Sequence, residues 1–392
     1  MSKTSTALVY GLNDVPPPAK AALAAVQHVL ASIVGVATPS LIIGGALGLG
    51  VYTPYLIAMA FFVSGIATFI QCKKIGPVGS GMLSMQGTSF AFLGAVLAAG
   101  FAVKGKGGTP EDILAMIFGL CLVGSLVEIV LSQFLDKLKR VITPTVTGIV
   151  ITIIGLSLIK SGFTDFAGGA RAGEDLGKPI YLLLGGFVVA VILVMTFIGK
   201  PMLRISAIMI GLILGTVVAS FLGLVNWSSL GSAQFFALPI PFKYGIDFDF
   251  VLFVPIAFLY LVTAIETSGD LTANSVVSGE PVEGDLYMQR IKGGVLGDGI
   301  NSAIAAIFNT FPNTTFSQNN GVIQMTGVAS RHVGLWAGVF LLLLGLFPVI
   351  GSFFLIIPKP VLGGATLVLF STIAVAGVRI LAAQEMTLRR VY

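Results

Sequence analysis

Charge is what this chain has least of. Asp, Glu, Lys and Arg together make up 10% of 392 residues, whereas a soluble domain carries roughly a quarter. That scarcity, with a mean hydropathy of +0.99, excludes an ordinary soluble enzyme. Cysteine is nearly absent, and Cys72 and Cys121 offer neither a disulfide framework nor a metal-ligand spacing. No cofactor and no metal are expected. The net charge of +5 comes from basic residues scattered over short loops, which is not the clustered footprint of a nucleic-acid binder. The opening MSKTSTALVYGLNDVPPPAK has no apolar centre of the kind a signal peptide needs. It reads as a cytoplasmic tail over residues 1–19.

What the chain has in abundance is apolar length. Residues of the hydrophobic class make up 56% of it, and apolar stretches of roughly 18 or more recur throughout, each long enough to cross a hydrocarbon core of about 30 Å. The pattern gives about twelve spans, at 20–42, 54–70, 80–101, 112–134, 142–160, 179–198, 204–224, 250–274, 292–310, 312–330, 333–357 and 361–381. The 49 glycines suit helices that must approach closely where apolar lipid offers no hydrophobic drive between them. Alternate loops hold Lys73, Lys74, Lys137, Lys139, Arg140, Arg290, Lys292 and Arg331 on one side. The other side carries fewer cations, most of them near acids, so the positive-inside rule puts the N-terminus and the 382–392 tail in the cytoplasm.

Two spans break the pattern. In FPNTTFSQNNGVIQMTGVASR, from Phe311, a proline precedes a run of Asn, Thr, Ser and Gln, and an apolar period returns only at Gly321. Pro312 biases Phe311 towards an extended conformation, and Ser317, Gln318, Asn319 and Asn320 are side chains that can cap a first turn. The stretch predicts an extended piece over 313–316 and a short helix starting near Gln318. GSGMLSMQGTSFAFLGAVLAAG, from Gly79, has the same design, with a contiguous polar lead before Phe90 and Phe92. Non-helical backbone at membrane depth needs protein or a cavity around it, and a half-helix N-terminus suits a polar or anionic ligand. Spans five and twelve also match, starting Pro144-x-x-x-Gly148 and Pro360-x-x-x-Gly364. Both pairs lie an odd number of spans apart, which predicts inverted repeats. Thr38-Pro39-Ser40 marks a further break in span one.

Ionisable residues inside the spans are few. Glu266 and Asp270 are four apart in span eight and share a helical face. Asp298 lies about two turns into span nine, and His28 follows Gln27 near the start of span one. Each could be a structural group satisfied by hydroxyls and backbone. Alternatively, each could bind substrate or exchange protons, since intramembrane acids often line transport paths. Glu128 in span four reads as structural or interfacial.

Gln318, Asn319, Gly321 and Thr326 fit the signature of the nucleobase–ascorbate transporter family: Gln or Glu, Asn, any residue, Gly, four residues, Thr. Gln27-His28, Thr88-Ser89-Phe90, Glu266 to Asp270 and Asp298 stand at comparable places. The chain resembles this family over essentially its whole length, most nearly the bacterial xanthine and uric acid permeases. The resemblance implies an all-α polytopic protein of inverted seven-span repeats with broken spans three and ten. About 12 of the 14 spans expected by that likeness are counted here, the last two of the second repeat falling outside the chain. It also implies a core domain from 20–134 and 250–357 and a gate domain from 142–224 and 361–381. By the same likeness Glu266 and Gln318 hydrogen-bond a purine, Phe90 stacks on it, Asn319 shapes the site, and Phe316 and Ser317 flank it. His28, Asp298 and Asp270 support the site and its proton coupling. The expected partners are a small purine, the proton, the lipid bilayer and a second copy of the chain in a homodimer, at the bacterial cytoplasmic membrane. An amide at Gln318 offers a donor and an acceptor together, which suits the lactam edge of xanthine or uric acid better than uracil.

Other classes remain in view. A uracil or other nucleobase permease shares the scaffold. A membrane-embedded aspartyl hydrolase could pair Asp270 with Asp298, though neither lies in a protease-like motif. A passive channel or anion transporter could use inverted repeats too, but the intramembrane acids disfavour an anion pore.

Overall fold

In the computed structural model, residues 8–135, 144–169, 172–198, 203, 206–227 and 234–382 are described. Lys137, Lys139 and Arg140, nearly all of the 382–392 tail and the first seven residues lie outside them. The chain order is α1 (Pro18–Leu47), α2 (Thr53–Lys73), β1 (Gln86–Thr88), α3 (Leu93–Gly105), α4 (Pro110–Gln133), α5 (Pro144–Phe166), α6 (Pro179–Phe197), α7 (Ala207–Phe221), α8 (Phe250–Val277), α9 (Asp285–Ile307), β2 (Asn313–Thr315), α10 (Gln318–Thr326), α11 (Arg331–Leu344), α12 (Pro348–Leu355) and α13 (Lys359–Ala382). Every predicted span coincides with a helix or a broken one. Among the described residues six helices, α1, α2, α4, α6, α8 and α13, are long and apolar enough to cross a membrane, and α11 with α12 adds a seventh if that bent pair counts as one. Apart from α5, the others fall short for physical reasons. The broken spans hold only half-helices, α7 is a short apolar helix, and α9 carries Asp285, Arg290, Lys292 and Asp298.

Two expectations about continuity are corrected. Span eleven is not one rod: α11 and α12 meet at an angle of 79°, and Pro348, which starts α12, denies the ladder a donor at that point. Span one, by contrast, does not break at Pro39. Helix α1 runs through it, with the Thr38 hydroxyl donating to the Val34 carbonyl at 2.7 Å.

The chain divides into two compact units: Met1–Leu135 with Ala233–Ser352, and Asp136–Ser232 with Phe353–Tyr392. In the second, glycines let helices touch. A Cβ at Gly155 would meet the Ala374 backbone, and one at Gly364 would meet the Gly185 carbonyl. In the first unit the two broken spans cross. Strands β1 and β2 pair antiparallel in the register Gln86 with Thr315, Gly87 with Thr314 and Thr88 with Asn313. Two flanking bonds extend the ladder, Phe316 N–H to the Met85 carbonyl at 2.9 Å and Ser89 N–H to the Pro312 carbonyl at 2.8 Å. Each strand thus supplies the partners that a helix would have found within itself. All six strand residues are buried.

The N-terminal segment is more than a free tail. Val9 N–H donates to the Gly327 carbonyl at 2.7 Å, Ala329 N–H to the Tyr10 carbonyl at 2.9 Å, and Arg331 N–H to the Leu12 carbonyl at 3.0 Å. The Ser330 hydroxyl adds a bond to the Asp14 carbonyl at 2.6 Å. Residues 9–14 therefore strap the turn that follows α10.

A Cβ at Gly87 would fall on the ring of Phe316, so a larger residue overpacks the crossing. Gly87→Val should destabilise the purified protein by about 1–3 kcal/mol, read as a lower midpoint of unfolding in detergent.

Candidate functional site

The crossing positions two half-helices, α3 after β1 and α10 after β2. Helix α10 begins at Gln318, where the sequence places it, but Ser317 caps it without a side-chain hydrogen bond. The polar run serves another purpose. Its first-turn N–H groups turn onto the backbone, Asn319 to the Phe316 carbonyl at 3.1 Å and Asn320 to the Ser317 carbonyl at 3.0 Å. That frees the amide side chains to reach neighbouring helices. Asn319 Nδ2 donates to His28 Nδ1 and to the His28 carbonyl, both at 3.1 Å. With Nδ1 accepting, the ring proton lies on Nε2, which is buried with no hydrogen-bond partner among the described residues. Asn320 Nδ2 donates to the Asp270 carbonyl at 3.2 Å, and its oxygen accepts from Asn274 Nδ2 at 2.8 Å. Helix α8 is thereby tied to α10 by amides alone.

The acids are held from several elements. Asp270 on α8 accepts from the Thr315 hydroxyl of β2 at 3.0 Å. Asp298 on α9 is fully buried; its Oδ1 accepts from Gln71 Nε2 at 2.8 Å and its Oδ2 from the Thr267 hydroxyl. Gln71 also donates to the Gly294 carbonyl at 2.7 Å and accepts from Ser80 N–H at 2.9 Å, so one amide joins α2, α9 and the lead into β1. Asp270 and Asp298 thus have separate donors, and no hydrogen bond links them. That is not the shared-proton pair a hydrolase would use. Glu266 differs from both: it is half-buried and makes no hydrogen bond with any described residue.

Of the residues singled out from sequence, Asn319 and His28 meet directly, and Asp298 and Asp270 join the same crossing through Thr267 and Thr315, whose hydroxyls lie 3.5 Å apart. Ser317 and Gln318 are exposed, and Phe90 is half-buried in the turn that leads into α3. Gln318 Nε2 stands 3.4 Å from where a Cβ on Gly35 would project, so α1 passes beneath it. Phe316 is 6% exposed and packs its ring over Gly35 and Gly87. Sequence reasoning missed Gln71, Thr267 and Thr315. Gln71 lies next to Cys72-Lys73-Lys74 and reads as an interfacial residue at a helix end. Thr267 and Thr315 carry no signal apart from their neighbours.

The permease-family model Xan_ur_permease matches residues 19–392. The xanthine permease XanP of Escherichia coli K12 is 46% identical over 388 residues, covering 98% of this chain and 84% of that protein. Its xanthine permease XanQ is 45% identical over 377 residues, 95% and 81% of the two chains. Among solved structures, the transmembrane domain of the cyanobacterial bicarbonate transporter BicA superposes with a TM-score of 0.66 at 17% identity, covering 97% of this chain and 94% of that one. The murine anion transporter Slc26a9 in its inward-facing state gives 0.63 at 12% identity, covering 94% and 62%. These two likenesses concern the fold alone.

Gln71→Ala would leave one Asp298 oxygen, the Ser80 N–H and the Gly294 carbonyl without partners. A buried unsatisfied group costs about 1–3 kcal/mol, so the variant should unfold at clearly lower denaturant, and an unchanged midpoint would show that water replaces the amide.

Proposed function

The chain belongs to the nucleobase–ascorbate transporter family, and on that premise we propose that it is a proton-coupled symporter importing an oxidised purine, xanthine or uric acid, across the bacterial cytoplasmic membrane. The observation that carries this reading is a carboxyl on α8 and an amide at the head of α10, two elements locked together at the strand crossing, whose bonding capacity no described residue takes up. Glu266 on α8 has no hydrogen bond with any described residue, Gln318 at the head of α10 is exposed, and the Asn274–Asn320 and Thr315–Asp270 bonds lock those elements together. A flat heterocycle has donors and acceptors around its edge and an apolar face. Glu266 and Gln318 take the edge and Phe90 the face, while Phe316 and Ser317 flank it. The match to XanP and XanQ, both named xanthine permeases, supports the purine class.

Asn319 and His28 shape the floor, because their mutual bond fixes the imidazole tautomer. Asp298 and Asp270 carry or relay the coupled proton. In this reading the unit of Met1–Leu135 with Ala233–Ser352 is the core domain and the other unit the gate domain, each built from inverted repeats. The N-terminus lies in the cytoplasm, and the working form is a homodimer. Rocking of one domain against a fixed site gives alternating access.

Thermal stabilisation of the purified protein tests the substrate class. Xanthine or uric acid at about 100 times its Kd should add about 2.7 kcal/mol, with uracil and ascorbate far weaker. Glu266→Ala and Gln318→Ala should each abolish the shift, and retention of binding in both would refute the site.

A further inference from the structure

We propose that Glu128, in the last third of α4, is a further positioning residue of the transport cycle: it holds a proton and acts through Asp298 and Glu266. The inference rests on the proton-coupled reading above and adds a residue to it. Glu128 is fully buried, and a carboxyl at membrane depth is kept only where it is paired or used. Its pairing is poor. Oε1 has the Thr263 hydroxyl at 3.5 Å, but that hydroxyl is closer to the Leu259 and Tyr260 carbonyls, at 3.2 and 3.3 Å, and has one proton to give. Oε2 is buried with no hydrogen-bond partner among the described residues.

Its neighbour is the opposite case. Both oxygens of Asp298 accept hydrogen bonds, from Gln71 and from Thr267, the surroundings a charged carboxylate requires. The two acids lie at one level. A Cβ on Gly299, next to Asp298, would stand 2.9 Å from the Ile129 nitrogen and 3.3 Å from the Glu128 carbonyl carbon, so the α4 and α9 backbones touch there. Thr263 and Thr267, one turn apart on α8, engage Glu128 and Asp298 respectively. The titratable groups facing Glu128 are Asp298 from α9 and Glu266 and Tyr260 from α8, and all of them are anionic when ionised.

Three neighbouring carboxyls, faced by no cation among the described residues, cannot all be charged at once, and such groups titrate as a set. Asp298, with a hydrogen-bond donor on each oxygen, is the member built to carry charge, and the proton resides on Glu128. When substrate engages Glu266, the charge facing Glu128 changes. Its O–H bond then breaks, the proton passes to water admitted during the transport cycle, and the electron pair stays on the carboxylate. No other reactant is needed.

The test is uptake of radiolabelled xanthine into vesicles carrying the protein, across a pH series and with or without an uncoupler, alongside xanthine binding by thermal stabilisation. Glu128→Gln should bind within about twofold of wild type. Its accumulation should fall by about tenfold, within the range usual for coupled sites, and lose its response to pH and uncoupler. Glu128→Asp should recover the response. Wild-type accumulation and uncoupler sensitivity in Glu128→Gln overturns the proposal, as does a parallel loss of binding and uptake that Glu128→Asp does not relieve. If Glu128→Gln does not fold, Thr263→Val, which keeps the acid and removes the hydroxyl within 3.5 Å of it, should move the midpoint of the pH profile, and an unmoved midpoint overturns the role. Wild-type protein that ignores xanthine defeats the purine reading. Wild-type protein that binds it but ignores the uncoupler defeats proton coupling and this role together.

Discussion

A peptide group inside a bilayer must find a partner within the protein, and the candidate site is a consequence of that requirement. Two spans abandon the helix for a few residues, and each supplies what the other lacks through the antiparallel ladder from Gln86–Thr88 to Asn313–Thr315. The ladder is short because it need only bridge the interval until α3 and α10 resume intrahelical bonding. Small residues allow the crossing. Gly87 admits the Phe316 ring, and Gly35 lets α1 pass close below. Because the broken elements are locked to one another and to α8, the side chains at their ends sit on a rigid support, as a selective site requires.

Around that support the polar residues fall into two classes. Gln71, Thr267, Thr315, Asn274 and Asn320 bond to one another, to the backbone or to the acids, and they set geometry. Glu266, Gln318, Glu128 and the Nε2 of His28 have bonding capacity that no described protein group takes up. In a low-dielectric interior an unused polar group is costly, so the second class marks where the protein has kept capacity for something other than itself.

The broken spans were legible in the sequence because contiguous polar residues after a proline cannot form an amphipathic helix face. Gln318, Asn319 and Gly321 were legible as a motif, and the acids as rarities in apolar segments. What could not be read was pairing. That β1 meets β2, that Asn319 reaches back to His28, and that Gln71 bridges to Asp298 are contacts between residues far apart in the chain. Periodicity carries no information on them. Prolines misled in both directions: Pro39 looked like a break and was absorbed into a continuous helix, while Pro348 accompanies a sharp bend in what read as one span. The Ser317–Asn320 run looked like caps because capping is a local rule, whereas the Asn319 and Asn320 amides form long-range bonds.

The strand pairing also bears on biosynthesis. Roughly 230 residues separate Gln86 from Thr315, and at a synthesis rate of about 5–20 residues per second the second strand follows the first by about 10–45 s. Throughout that interval the nascent first strand has no mate. It must wait in the aqueous shelter of the insertion machinery, or against transient partners, since lipid offers its amides nothing. The unit that carries the candidate site is thus completed late, and insertion of the eighth to tenth spans, rather than of the first four, decides when it closes.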